Sequence, residues 1–367
     1  MTIRRLDLTL YANVSGPGNS AVGSRALYSN TRGAGNTAIG QSALYSNTTG
    51  NANTATGTTT LLRNASGDFN TADGTNALYQ NATGSYNTAE GANALQTNST
   101  GSLNTAAGYS ALYNNIGSQA NYNAAFGAQA LYNTTNSFTN TAVGYNAGAG
   151  YDNSSNNVFL GANADVNGAG YFNVIAIGSG AVCTASEQVT LGSGANVSYR
   201  AYANWTNISD GRYKKNVQEN VPGLAFINQL RPVTYNLDAT GLDAFLHKNS
   251  GQATQRIGTS KNNAVTMLPN DDAGKAQYIQ ALKEKETIVY TGFVAQEVET
   301  TAKKLGFNFS GVDAPKNEND VYGLRYAEFV VPLVKAVQEQ QQMISDMQKK
   351  IQVLEEQNKL LQQLINK

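Results

Sequence analysis

Residues 36–57 read NTAIGQSALYSNTTGNANTATG, and the same phrase starts again at Asn53 and at Asn70. The pentad Asn-Thr-Ala-x-Gly begins at Asn36, Asn53, Asn70, Asn87, Asn104 and Asn140, with variants beginning at Asn19 and Asn123. The step is 17 residues each time, except for one step of 19 between Asn104 and Asn123. Leu27, Leu44, Leu61, Leu78, Leu95, Leu112 and Leu131 keep the same phase. So do Tyr28, Tyr45, Tyr79, Tyr113 and Tyr132, with Leu62 and Gln96 in the gaps. Self-similarity at a fixed period of this size is the signature of stacked repeats.

The pentad shows which side chains face inward. Its Ala never changes, whereas the next residue is in turn Val22, Ile39, Thr56, Asp73, Glu90, Ala107, Phe126 and Val143. A position that accepts Asp and Glu faces water, and its neighbour in a strand faces the other way, so the Ala points in. The Gly that follows turns the chain with a positive φ. Leu is the second inward residue, and the Asn track reads as a ladder of stacked side-chain amides. Two short strands and two turns per coil predict a mainly β chain built as a 17-residue β-solenoid or β-roll. A core of one Ala and one Leu per coil is thin. At roughly 25 cal/mol per Å² it supplies a few kcal/mol against the ordering of a whole coil, so several chains associating would add burial. Strand alternation puts the Tyr after each Leu on the outer face. There the row either packs against a neighbouring chain or stacks on the sugar rings of a receptor. The repeat fades after Gly144, and fragments return at 157–165, 173–181 and 188–196.

Charge divides the chain. Residues 1–208 carry 6 Lys/Arg and 7 Asp/Glu, while residues 209–367 carry 19 and 18. The zero net charge offers no basic surface to nucleic acid. Cys183 and His247 are the sole Cys and His, so neither a disulfide framework, a Cys/His metal site nor any cofactor is expected. No apolar run is long enough to span a membrane, and the N-terminus has Arg4 and Arg5 but no apolar stretch of signal-peptide length. Asp73 and Glu90 occupy the same outward position one coil apart, which gives no defensible carboxylate pair for cutting glycans.

The repeat array over 19–200 resembles the left-handed β-roll heads of trimeric autotransporter adhesins. Its pentads and the fragments NVIAIGSGA (173–181) and QVTLGSGAN (188–196) carry the likeness. The second part is identified on four blocks in order: SDGRYKKN from Ser209, GLAFINQLRPVTYN (223–236), TGFVAQEVE (291–299) and YGLRYAEFVVPLVKAVQEQ (322–340). It resembles the C-terminal intramolecular chaperone domain of phage tailspikes and tail fibres, of the endosialidase type. Five segments result: 1–18 for attachment, 19–146 the repeat array, 147–208 degenerate repeats and a neck, 209–329 a small α+β chaperone domain with an insertion at 238–287, and 330–367 a coiled-coil tail.

That resemblance implies a domain that trimerises, helps the preceding β-structure to fold, and then releases itself by single-turnover self-cleavage between Ile208 and Ser209. Ser209 would be the nucleophile and Lys214 its base, with Lys215 as a rival. The chemistry is sound, because a Ser hydroxyl needs a neighbour to take its proton and Lys does so when burial lowers its pKa. Residues five apart lie on different helix faces, so the pair requires a bend, which Gly211 allows.

In the tail, heptad position a takes Val330, Val337, Ile344, Ile351, Asn358 and Ile365, and position d takes Leu333, Gln340, Met347, Leu354 and Leu361. The expected molecule is a homotrimeric fibre or spike, made in a bacterial cytoplasm and mounted on a virion or phage-tail-like particle. Its expected partners are the tail or baseplate and a cell-surface glycan or protein receptor. The competing expectation is an uncut bacterial surface adhesin with a borrowed chaperone tail.

Overall fold

The computed structural model describes residues 9–150, 152, 154–202, 205–248 and 272–365. The start of the expected attachment segment, residues 1–8, lies outside the described residues, as do 249–271 of the insertion. The chain divides into two compact units, one of residues 1–197 with 238–286, the other of 198–237 with 287–367.

The first unit is the solenoid. Three-residue strands recur at β1 (Ser20–Val22), β2 (Thr37–Ile39), β3 (Thr54–Thr56), β4 (Thr71–Asp73), β5 (Thr88–Glu90), β6 (Thr105–Ala107), β7 (Ala124–Phe126) and β8 (Thr141–Val143). They continue as β9 (Val158–Leu160), β11 (Ile175–Ile177) and β13 (Val189–Leu191), and these eleven form one parallel sheet. Two short strands, β10 (Asp165–Val166) and β12 (Val182–Cys183), pair separately. The array therefore runs without a break past residue 146, through the three returning fragments. Ala pairs with Ala in register, as Ala55 with Ala72 and Ala72 with Ala89, and the longer step leaves Thr105 opposite Ala124.

The Ala of the pentad is buried in each coil from Ala38 to Ala142, and the residue after it stands at the surface. The pentad Gly has the expected positive φ, +128° at Gly91, where a Cβ would lie 2.6 Å from the carbonyl oxygen of Gly108 in the next coil. Each regular coil holds one strand, where two were expected. The Leu-Tyr segment is a turn, not a second strand. Leu44 and Leu78 have φ of +51° and +49°, and the same left-handed conformation recurs at every Leu of the track. For a branched side chain this costs about 1–2 kcal/mol. Full burial of the Leu offsets it, as does a bond to the next coil, such as Leu44 N to Thr60 O at 3.0 Å.

The core is also thicker than one Ala and one Leu. Ala43, Ala77, Ala94 and Ala111 are buried beside the Leu track. Two Asn ladders, not one, run through the interior. In the first, Asn70 Nδ2 donates to Asn53 Oδ1 at 3.0 Å and Asn87 Nδ2 to Asn70 Oδ1 at 3.2 Å. In the second, Asn47 Nδ2 donates to Asn30 Oδ1 at 2.8 Å and Asn64 Nδ2 to Asn47 Oδ1 at 2.8 Å. Each amide also satisfies a turn carbonyl, as Asn47 Nδ2 does at Gly50 O, 3.0 Å away. The buried amides of the two ladders are thereby paired.

Among the described residues two helices complete this unit: α2 (Ala239–Leu246) and α3 (Asp272–Glu286). The second unit contains α1 (Leu224–Ile227) and a hairpin-like pair, β14 (Val233–Asn236) with β15 (Val289–Gly292). It also holds α4 (Ala295–Lys304), the paired β16 (Val312–Asp313) and β17 (Gly323–Leu324), and the long α5 (Val330–Ile365). Phe226, Val298, Ala302, Phe309 and Phe329 form its core. Gly223 lets α1 approach α5 closely, since a Cβ there would lie 2.7 Å from Ala336 N. Glu339 Oε2 accepts from Leu224 N at 2.7 Å and so caps α1.

Candidate functional site

Ser209 lies within an exposed segment of the second unit. Asp210 accepts a hydrogen bond from Arg212 N at 2.9 Å and so caps a single 3-10 turn, Gly211–Tyr213. The Arg212 guanidinium closes back on the same carboxylate, with Nη2 2.6 Å and Nε 2.9 Å from Oδ2. That hydrogen bond holds the Asp210 carboxyl below the usual range and lifts Arg212. Lys214 N donates to Gly211 O at 3.2 Å and ends the turn.

The turn folds the chain back, and Lys214 Nζ lies 2.8 Å from Ser209 Oγ. Residues five apart thus meet, and it is Lys214 rather than Lys215 that bonds the hydroxyl. The bend does not need the freedom of glycine: a Cβ on Gly211 would meet nothing within 4 Å. Asp210, through its cap and its clamp on Arg212, shapes the turn. Sequence reasoning did not single it out, although Asp at the start of a turn is a readable cap signal. Ser209, Lys214 and Lys215 are all exposed, as is Ile208, at 96%. The chain by itself therefore brings the hydroxyl and the amine together without burying either. An open groove in this unit is lined by Val233, Tyr235, Phe293, Pro315, Tyr322 and Tyr326, and neither Ser209 nor Lys214 lines it.

The Tyr row of the solenoid uses its ring faces within the chain. Tyr28 stacks on Tyr45 with centroids 5.1 Å apart and planes at 4°, and Tyr113 on Tyr132 at 5.0 Å and 1°. Arg63 sits over Tyr79, 5.6 Å from its centroid. A second aromatic pair on a different turn, Phe69 on Tyr86 at 5.0 Å, was not foreseen. Asp73 and Glu90 face each other directly across β4 and β5, both exposed.

Among the described residues no group of three or more His, Cys, Asp or Glu is placed to hold a metal ion. No helix among them is long and apolar enough to cross a membrane. On α5, the heptad residues Val337, Ile351, Leu354 and Leu361 are more than half exposed, so its apolar stripe is uncovered in the single chain.

Residues 209–270 match the family described as the chaperone of endosialidase. The match begins at Ser209 and stops before the blocks at 291–299 and 322–340. Neither the curated proteins nor the solved structures gave a match. A segment that matches this family therefore follows a β-solenoid in this chain.

Proposed function

We propose that the chain is a homotrimeric fibre or spike protein of a virion or phage-tail-like particle. Its solenoid presents a receptor-binding surface, and its C-terminal domain acts as trimerisation chaperone and severs the chain between Ile208 and Ser209. The observation that carries this is the 2.8 Å bond from Lys214 Nζ to Ser209 Oγ at the first residue of the matched segment. The uncovered heptad stripe of α5 supports association of several chains.

In the proposed reaction Lys214, as the free amine, takes the proton of Ser209 Oγ while the oxygen attacks the Ile208 carbonyl carbon. The bond from that carbon to Ser209 N then breaks, and the nitrogen leaves with a proton from the Lys214 ammonium. The resulting Ile208 ester is hydrolysed by water, giving an Ile208 carboxylate and regenerating the Ser209 hydroxyl on a chain with a free amino terminus. Lysine serves as base when burial favours its neutral form. The pair is exposed in one chain, so the reading requires neighbouring chains to cover it, and the cut follows assembly.

Intact mass spectrometry of purified protein is the test. The expected products end at Ile208 and begin at Ser209, and Ser209→Ala and Lys214→Ala should each leave the chain whole and folded. The same cut in Ser209→Ala would reject the dyad. A wild-type chain that stays whole as a trimer would favour the uncut surface adhesin.

A further inference from the structure

We propose that helices α2 and α3 cap the C-terminal edge of the solenoid, and that this contact keeps the C-terminal piece seated on the solenoid after the chain is severed at 208–209. The proposal concerns the products of the cut, but the cap is independent of how the cut is made.

A stacked parallel sheet ends in an open edge, and repeat arrays need a terminal element to cover it. Strand β13 is the last of the eleven and pairs on one side alone, with β11. The segment that meets this end comes from beyond the cut: residues 238–286 group with 1–197, although 198–237 between them do not.

The contact is specific. Lys285 Nζ on α3 donates to Gly194 O at 2.9 Å and to Asn196 O at 2.7 Å, two carbonyls just past β13. Gly194 has no side chain where the helices approach. A Cβ there would lie 3.2 Å from Asp243 Oδ1 on α2 and 3.5 Å from Leu282 on α3. Leu282 is 3% exposed. Tyr278 OH on α3 donates to Asp243 Oδ1 at 2.6 Å, and Glu286 Oε1 accepts from Thr240 N at 2.8 Å, so the helices are bonded at two points. His247, which ends α2, lies with Nδ1 2.8 Å from Asp243 O.

The cap follows Ser209 in sequence, so a cut at 208–209 assigns it to the C-terminal piece while its binding surface stays on the N-terminal piece. The two Lys285 bonds to carbonyls and the buried Leu282 then hold the two pieces without a peptide bond, while the Asp243–Tyr278 bond keeps the two helices of the cap together.

The test separates this from the Ser209 chemistry by supplying the cut. A recognition site for a sequence-specific protease replaces part of the exposed stretch 205–208 in full-length Ser209→Ala protein, and the native protein is digested to completion. The two pieces should co-elute in size exclusion with light scattering at micromolar concentration. Lys285→Ala combined with Leu282→Ala should weaken their association at least tenfold. Hydrogen exchange of the amides between Gly180 and Asn196 should quicken in the same variant. Digested Ser209→Ala protein that separates into two folded pieces would overturn the proposal. So would Lys285→Ala alone, or the double variant, leaving both elution and exchange unchanged.

Discussion

Replacing Asn70 with Ala tests whether the amide ladders hold the solenoid together. Asn70 is fully buried, and its side chain makes four contacts. Nδ2 donates to Asn53 Oδ1 at 3.0 Å and to Gly84 O at 2.9 Å, and Oδ1 accepts from Asn87 N at 3.0 Å and Asn87 Nδ2 at 3.2 Å. After truncation most partners keep another bond. Asn53 Oδ1 still accepts from Asn70 N, Gly84 O from Asn81 Nδ2, and Asn87 Nδ2 still donates to Gly101 O. Asn87 N alone is orphaned inside the coil. A buried donor left without an acceptor costs about 1–3 kcal/mol, and the net loss of the other bonds adds on the order of 1 kcal/mol, so the total is about 3 kcal/mol. Asp73→Ser, on the exposed face three residues away, should stay within about 0.5 kcal/mol of wild type. Long repeat arrays melt in parts, so the assay is hydrogen exchange read amide by amide beside a urea titration. Exchange at Asn87 should accelerate by about two orders of magnitude, with smaller effects two coils away. If Asn70→Ala is as stable as Asp73→Ser and the Asn87 amide stays protected, the ladder is ornament and the Ala and Leu core alone holds the coil.

Asp165 is 2% exposed, and burial lifts its carboxyl to about 7, although Gly150 N and Val166 N donate to it at 2.8 and 2.9 Å. The unfolded chain gives up that proton near pH 4 and the folded one near 7. The group's contribution is therefore full below pH 4 and is lost as pH rises to 7, by up to about 4 kcal/mol. Urea titrations at pH 5 and pH 8 should differ in wild type and converge in Asp165→Asn; an equal slope in both would refute this. Ending the chain at Phe329 removes α5, and light scattering should then report monomer; a trimer that persists would place the association elsewhere.

The period and the inward Ala were legible because an invariant residue next to one that tolerates Asp73 and Glu90 can mean nothing but opposite faces. The second strand was misread because Leu44 followed by Tyr45 looks like strand alternation. The left-handed φ of Leu44 is a backbone fact that no side-chain pattern announces. The second ladder was legible in principle, since Asn30, Asn47, Asn64, Asn81, Asn98 and Asn115 keep the 17-residue step. At the candidate site, Ser209 and Lys214 came from the motif. The Asp210 cap and the exposure of the pair depend on coordinates. The packing of 238–248 and 272–286 on the solenoid could not be read at all, because Lys285 and Gly194 meet across 91 residues with no periodic signal between them.

The place of the proposed cut bears on what severing would do. Every described residue from Asn196 to Asn220 is exposed except Asp210, which is half-buried. A break in such a stretch would remove no packing from either unit, but it would leave 238–286 of the first unit without a peptide link to 1–197. While the chain is whole, residues 198–237 tether 238–286 to the solenoid and keep their contact intramolecular. After the proposed cut, the same contact would have to hold at the concentration of the protein itself. A cap bound to the solenoid by Lys285 and Leu282 would then be the element that decides whether the C-terminal piece stays.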